Sequence, residues 1–401
     1  MGKLDVSRPM SVTEAIGLID SVALEMRIEQ IPLGLVRGYS LAEDVIADRD
    51  YPPFDKSLMD GFAVGGPEGE AKIIGEIAAG GWSDISIKPG EAMAIMTGAP
   101  IPPGTQHIVP IENVEVVGNQ LRILEPSLPG QYIARRGSDV RAGEIVLRKG
   151  QTLQAAQLAV AASVGKTSLS VYSRPRVGVL STGDEIVPPD QRPAAGQIRD
   201  SNSIMMVSLL QRMDCHVLDL GHVRDEKELI GRRITQGMAN VDVLFISGGM
   251  SMGRYDYAPQ VLKDLGVELL ITKVRIKPGK PFIFGKKKRA GGGECFVFGL
   301  PGNPVSAMIC TLRLAGRLLR RMQGRSAEGR WMETTLINGL PANGPREFYQ
   351  PVRLQGDGVM PLAWKGSADI FTLAQADALL PRAESAPAIQ AGARVRVMAI
   401  Q

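Results

Sequence analysis

Residues Arg176–Val187 read RVGVLSTGDEIV, and this stretch decides the fold. Val177–Leu180 is a short unbroken apolar run, the pattern of a strand buried on both faces of a parallel sheet. It gives way at once to Ser181, Thr182, Gly183, Asp184 and Glu185. Two adjacent carboxylates are costly to desolvate, which places them at an open edge. In an open parallel sheet, ligands bind in the crevice beyond the carboxyl ends of the strands. Asp184 and Glu185 are therefore expected to face such a crevice.

Outward from this stretch, residues 175–325 alternate strand and helix, the mark of a mainly parallel α/β domain. Asp200-Ser201-Asn202 caps a helix with Ile204, Val207, Leu210 and Met213 on one face. A second strand is expected at Val217–Leu220, and Asp225 leads into a helix from Glu226 to Met238. Val241–Ile246 is a third strand. It runs into Ser247, Gly248, Gly249, Met250, Ser251, Met252 and Gly253, with Asp256 just beyond. Val267–Ile271 and Phe282–Phe284 flank KVRIKPGK, Lys273–Lys280. Cys295–Phe298 is a last strand before GLPGNP, and a helix starts near Pro304.

The remaining segments read as smaller domains. Ser11–Met26 is a predicted helix, with a capping-box pattern at Ser11 and Glu14 and an apolar face of Ile16, Ile19, Ala23 and Met26. Asp60-Gly61, within DKSLMDGFAV, is a turn signal. Residues 65–150 carry short β-branched runs among Gly and Pro, which predicts a small all-β domain. Its loops include MTGAPIPPG, Met96–Gly104, and GSDVRAG, Gly137–Gly143. Gln151–Ala162 is a predicted helix. Val164-Gly165-Lys166-Thr167 resembles the end of a phosphate-binding P-loop, but Val160 stands where the first glycine is required and the motif fails. Residues 330–401 form a further β-domain, in which Gly366–Leu373 is a loop into a short helix. The expected division is 1–26 with 175–325, 27–50 with 140–174, 51–139, and 330–401.

Composition excludes several classes. The 401 residues suffice for two to four domains, and a formal charge of +4 is small for that length, so nucleic acid is not implied. Cys215, Cys295 and Cys310 form no CxxC pair, which argues for a reducing compartment and against structural zinc. His107, His216 and His222 have no metal-ligand spacing. No apolar stretch reaches the roughly 18 residues a membrane span needs, and no leader pattern is present, so a cytosolic protein is expected.

Three strands of one predicted sheet each end in a loop fit for an oxyanion. The glycines of SGGMSMG let backbone N–H groups approach a phosphate. PGNPVS leads into a helix whose free N–H groups favour an anion. Lys273, Lys277 and Lys280 add point charges. Asp184, Glu185, Asp200, Asp225 and Asp256 would repel that phosphate without a cation between them. Mg²⁺ takes one or two carboxylates plus substrate phosphates, so a Mg²⁺-phosphate substrate is expected. For any one acid the plain alternative is a helix cap or surface ion pair.

STGDE, DSN, SGGMSMGxxDY, KPGKPF and LPGNPVS, with SLMDGFA and MTGAPIPPG, resemble the molybdopterin molybdenumtransferase (MoeA) family, which includes the E-domains of the plant molybdenum insertase and of gephyrin. The match runs from the first helix into the C-terminal domain. The resemblance implies an elongated homodimer of four domains per chain. One is a three-layer molybdopterin-binding α/β domain of the MogA type, accompanied by small β-rich domains and a C-terminal β-barrel-like domain. It implies insertion of molybdate into adenylylated molybdopterin, with Mg²⁺-dependent hydrolysis of the adenylate to give molybdenum cofactor and AMP. Molybdopterin adenylyltransferase and molybdoenzyme acceptors are candidate partners.

By motif, Asp184, Glu185, Asp225 and Asp256 would be catalytic, and Glu185, Asp184 and Asp200 would hold the metal. Ser181, Thr182, Gly183, Ser247, Gly248, Gly249, Ser251 and Gly253 would bind substrate, as would Lys273, Lys277 and Lys280. Pro301, Gly302, Asn303 and Pro304 would shape the pocket wall, with Ser367 nearby. Asp60, Thr97 and Asp139 resemble family residues that complete the cleft across the dimer. Arg254, Arg199 and Met250 depart from the family pattern. Two rivals remain: a molybdopterin adenylyltransferase, and a non-catalytic gephyrin-like scaffold.

Overall fold

A computed structural model describes residues 8–66, 69–250, 257–289 and 291–400. The chain divides into two compact units, Ile31–Arg37 with Glu43–Leu169, and Met1–Gln30 with Gly38–Ala42 and Ser170–Gln401.

The first of these units is built on a six-stranded sheet. Its strands are β1 (Gly61–Val64), β2 (Glu70–Ile77), β3 (Glu91–Ile95), β4 (His107–Pro110), β5 (Val114–Val117) and β6 (Gln120–Ile123), in the order β4-β1-β3-β2-β6-β5. Alternation puts Phe62, Val64, Ala92 and Val109 on one face and Ala63, Met93, Ile95 and Ile108 on the other, each within its own buried cluster. Gly61 is required where β1 meets β4, since a Cβ there would lie 2.1 Å from the Val109 carbonyl oxygen. Lys166 and Thr167 follow the helix Ala155–Ser163 as a plain turn into the next strand.

The other unit carries the α/β domain. Its strands are β7 (Arg176–Thr182), β8 (His216–Val223), β9 (Val243–Ser247), β10 (Glu268–Ile271), β11 (Ile276–Lys277), β12 (Ile283–Lys288) and β13 (Glu294–Leu300). The sheet runs β8-β7-β9-β13-β12-β10, with the first four strands parallel and β12 antiparallel to both of its neighbours, β13 and β10. Helices α1 (Val12–Ser21), α2 (Asn202–Arg212) and α3 (Pro304–Cys310) cover one face. Helices α4 (Lys227–Asn240) and α5 (Ala258–Asp264) cover the other, giving three layers. Aromatics are sparse in the sequence, yet Phe245, Phe282, Phe284, Phe296 and Phe298 gather in this core, with ring centroids as close as 4.9 Å.

Two predicted helical faces hold in part, with Ile16 and Ile19 in the first and Val207, Leu210 and Met213 in the second packed against the core. Helix α1 ends at Ser21, where Val22 turns to extended backbone, so Ala23 and Met26 are exposed and Val12, Ala15 and Ile19 form the buried face. Its Ser11–Glu14 capping box is present, and Arg321 donates to the carbonyls of Ile19 and Val22 at its far end. In α2, Met206, Leu209 and Leu210 are buried, while Ile204 is 60% exposed. The polar Asn202 and Ser203 take the inward positions at its start, which sets the phase of the helix.

The C-terminal strands β14 (Trp331–Leu336), β15 (Glu347–Gln355), β16 (Gly358–Pro361), β17 (Ala378–Arg382) and β18 (Arg394–Ala399) close into a five-stranded barrel in the order β15-β16-β14-β18-β17. Strand β11 adds to β15 in parallel, with Lys277 opposite Phe348, and so joins the α/β domain to the barrel. The short helix Ile370–Leu373 is capped by Asp369. No helix among the described residues is long and apolar enough to cross a membrane.

Candidate active site

Parallel register brings Ser181, Ser247 and Leu300 abreast at the carboxyl ends of β7, β9 and β13. The three loops expected to bind an oxyanion therefore leave the sheet side by side. Gly248 and Gly249 have φ of +93° and +61°, and a Cβ on Gly248 would lie 2.3 Å from the Thr182 carbonyl oxygen. Only glycine lets the loop after β9 pass this close to β7. Ser181 and Thr182 are buried, and Thr182 Oγ1 has no hydrogen-bond partner among the described residues.

One residue that sequence reasoning left out of the site ties these loops together. Asn202, 9% exposed, donates from Nδ2 to Ser247 Oγ at 2.8 Å and to the Gly302 carbonyl at 2.6 Å. A carbonyl can only accept, which fixes the amide orientation and leaves Oδ1 buried and unpartnered among the described residues. Its position after Asp200-Ser201, at the start of a helix beneath the strand ends, was the available signal.

The acids are arranged differently from expectation. Asp184 Oδ1 lies 3.4 Å from Arg224 Nε and accepts from the Asp225 backbone N–H at 3.3 Å. Glu185 is exposed and curls under Gly183, where a Cβ would lie 2.6 Å from its carboxylate. Asp200 instead caps α2, accepting from the Ser203 N–H at 2.9 Å and the Ser203 hydroxyl at 2.7 Å. No three His, Cys, Asp or Glu side chains among the described residues form a group able to hold a metal. The predicted ligand set of Glu185, Asp184 and Asp200 is therefore not assembled, because the helix terminus has claimed Asp200. Asp184 and Glu185 are both exposed, and the backbone of Asp225 is bonded to Asp184. Asp256, Ser251 and Gly253, with Arg254, lie outside the described residues.

A cavity of about 500 Å³ opens between the PGNP loop and the barrel. Lys277, Lys280, Arg346 and Lys365 line it, and no carboxylate among the described residues does. Lys277 lies with Nζ 5.4 Å from the Phe348 ring centroid, and Phe348 stacks on Trp364. Gly279, at φ +128°, turns the KPGK loop against Cys310, whose Sγ would lie 2.5 Å from a Cβ. Pro301 and Asn303 form the wall, and Asn303 Nδ2 donates to Ser367 Oγ at 2.7 Å. Pro304 begins α3 but is not among the lining residues. Lys273 is also not among them; its carbonyl accepts from the Met10 N–H. Arg346, Phe348, Trp364 and Lys365 were not foreseen, since they come from barrel segments with no motif.

Asp60 and Thr97 meet in the other unit. Asp60 Oδ1 accepts from the Thr97 N–H at 2.6 Å and from its hydroxyl at 2.7 Å, and these bonds hold the carboxyl below the usual carboxylate range. Asp139 accepts instead from Ser138 Oγ, and its N–H donates to the Tyr51 carbonyl. The three cysteines are buried; burial pushes the Cys215 thiol up to about 12 and the Cys295 thiol to about 11, so neither is a thiolate at neutral pH.

Parallel strands ending in glycine-rich loops, joined through β11 to a barrel with a cation-lined cavity, define an α/β protein with a site whose lining suits an oxyanion. Three family models match in chain order: the MoeA N-terminal region (domain I and II) over residues 10–165, a probable molybdopterin binding domain over 178–321, and the MoeA C-terminal region (domain IV) over 334–400. A molybdopterin molybdenumtransferase of a Synechocystis strain is 33% identical over 367 residues, covering 88% of this chain and 90% of that protein. One from a Nostoc strain is 31% identical, covering 92% and 88%. The molybdopterin biosynthesis moeA protein of Pyrococcus horikoshii OT3 superposes with a TM-score of 0.85 at 27% identity, over 98% of this chain and all of that one. The chain belongs to the molybdopterin molybdenumtransferase family.

Proposed function

We propose that this enzyme of molybdenum cofactor biosynthesis inserts molybdate into adenylylated molybdopterin and hydrolyses the adenylate in a Mg²⁺-dependent step, releasing molybdenum cofactor and AMP. It acts as a homodimer in this reading. The observation that carries it is one shared loop. Pro301 and Asn303 line the cation cavity, while the Gly302 carbonyl is held by Asn202 beside Ser247 at the strand ends. An oxyanion in the cavity and a phosphate ester in the crevice would sit on two sides of that loop, so the two reactants are brought together.

Lys277, Lys280, Arg346 and Lys365 bind the molybdate dianion, and no described residue sets a carboxylate in the lining to repel it. Ser247, Gly248 and Gly249 offer hydroxyl and backbone donors to the phosphate bridge. Asp184 and Glu185 would hold Mg²⁺, with Asp225 supporting Asp184 through its N–H. Once bound, Mg²⁺ supplies neutralisation of phosphate charge. Asp256 is assigned to the same cleft by motif.

The rival adenylyltransferase reading predicts adenylate formation from ATP and molybdopterin. The test is AMP release from adenylylated molybdopterin, with and without molybdate and Mg²⁺. Release that needs Mg²⁺ and yields molybdenum cofactor only with molybdate is expected. Adenylate synthesis from ATP, or no AMP under any condition, would overturn the reading.

A further inference from the structure

A second hollow, of about 420 Å³, lies between the end of edge strand β8 and one face of α4. His222 and Arg224 come from the strand side, and Leu229, Arg232, Arg233 and Gln236 from the helix at i, i+3, i+4 and i+7. It holds three guanidinium groups and no carboxylate among its lining residues. Its volume falls within the ~300–1,000 Å³ of small-molecule sites. Glu228 stands four residues before Arg232, the spacing that favours an ion pair along a helix, yet none joins them among the described residues. Arg232 turns to the hollow instead.

The hollow is wired to the loop after β7. His222 Nε2 lies 2.7 Å from the Gly183 carbonyl, so that nitrogen carries the proton and donates. Arg224 reaches out of the same hollow to Asp184. Forked guanidinium donors match the tetrahedral oxygens of a phosphate. Leu229 offers an apolar wall, and Gln236 offers an amide that can both donate and accept.

We propose that this hollow binds a phosphomonoester, and that its occupant in the reaction is the nucleoside monophosphate product. The nucleotide's identity rests on the proposed function; the phosphate chemistry does not. A dianion seated on Arg232 and Arg233 competes with Asp184 for Arg224. Product in the hollow and Asp184 pairing are thereby coupled.

The experiment titrates the full chain with AMP, inorganic phosphate and adenosine by calorimetry at low and moderate salt. Wild type is compared with Arg232→Ala/Arg233→Ala and Arg232→Lys/Arg233→Lys. AMP and phosphate are expected to bind wild type with salt-weakened affinity, and adenosine at least tenfold more weakly than AMP. The double alanine variant should raise the Kd for AMP at least fivefold, and the double lysine variant should stay nearer wild type. Both arginines are exposed, so thermal unfolding should be unchanged. AMP release at low product concentration should be retained, while inhibition by added AMP weakens. A smaller Kd change, no binding of AMP by wild type, or adenosine binding as tightly as AMP would overturn the proposal. If wild type bound AMP through these arginines yet released none from adenylylated molybdopterin, the proposed function would fall and the phosphate site would stand.

Discussion

Asn202 gives a sharp separation between stability and catalysis. Replacing it with alanine removes two hydrogen bonds, to Ser247 Oγ and to the Gly302 carbonyl. Each contributes about 0.5–1.5 kcal/mol net. The same change deletes the buried, unpartnered Oδ1, whose desolvation costs about 1–3 kcal/mol. Gly302 is exposed, so water can replace the lost donor at its carbonyl. The balance is a destabilisation of no more than about 2 kcal/mol, or a Tm fall of up to ~8 °C at roughly 2–4 °C per kcal/mol.

Activity should suffer far more, because the loops after β9 and β13 lose their common tether. A 1 Å misplacement of a reacting group can cost about 10²-fold, so kcat/KM for adenylylated molybdopterin should drop roughly 30–100-fold. Asn202→Asp keeps the shape but sets a carboxylate against the Gly302 carbonyl, and should lower Tm more than Asn202→Ala does. Thermal unfolding and AMP-release kinetics on the three proteins decide the matter. Alanine retaining kcat/KM within threefold, or aspartate proving the more stable substitution, would refute the tether.

Lys280→Ala and Arg346→Ala should each raise the molybdate KM about tenfold, in a salt-dependent way, with little change in Tm; an unchanged KM would remove these residues from molybdate binding. Asp184→Asn and Glu185→Gln, both exposed, should abolish Mg²⁺-dependent AMP release while circular dichroism stays unchanged; wild-type release would displace these acids from the metal. Asp242, at the opposite end of the sheet, accepts from the Arg176 N–H at 2.9 Å and pairs with Arg27, Arg176 and Arg289. Burial alone would raise its pKa, but the Arg176 bonds and the surrounding guanidinium charges hold it below the usual carboxylate range. Its contribution is therefore present above the unfolded carboxylate pKa of about 4 and lost as pH falls through the lower folded value. Asp242→Asn should cost about 2–3 kcal/mol at pH 7, less than a fully buried pair because its arginines are partly solvated. The loss should shrink toward pH 3 in denaturation experiments, with activity per folded molecule intact.

The sheet was readable in the sequence because buried parallel strands leave unbroken apolar runs such as Val177–Leu180, and its loops because glycine and proline mark them. Lys277, Lys280, Pro301, Asn303 and Ser367 were found through motifs and do share one cavity. Arg346, Phe348, Trp364 and Lys365 were not legible, since barrel closure and the β11–β15 pairing bring them there from two segments that carry no motif. Asp200 shows the opposite failure. An acid beside a helix start can serve a ligand or the helix, and only geometry revealed that both of its oxygens serve Ser203. In α1 and α2 the periodicity was right: Ile16 and Ile19, and Val207, Leu210 and Met213, pack against the core, while Ala23 and Met26 fall beyond the end of α1 and Ile204 is turned outward.

Helix α1 docks through contacts that span most of the chain, with Asp20 and Arg317 paired across 297 positions. At about 5–20 residues per second, the ribosome would emit Asp20 some 15–60 s before its partner. Until then Val12, Ala15 and Ile19 would lack the helical segment 311–322 that packs against this helix. Nascent chains should accordingly engage a holdase early and let go only after Arg317 and Arg321 emerge.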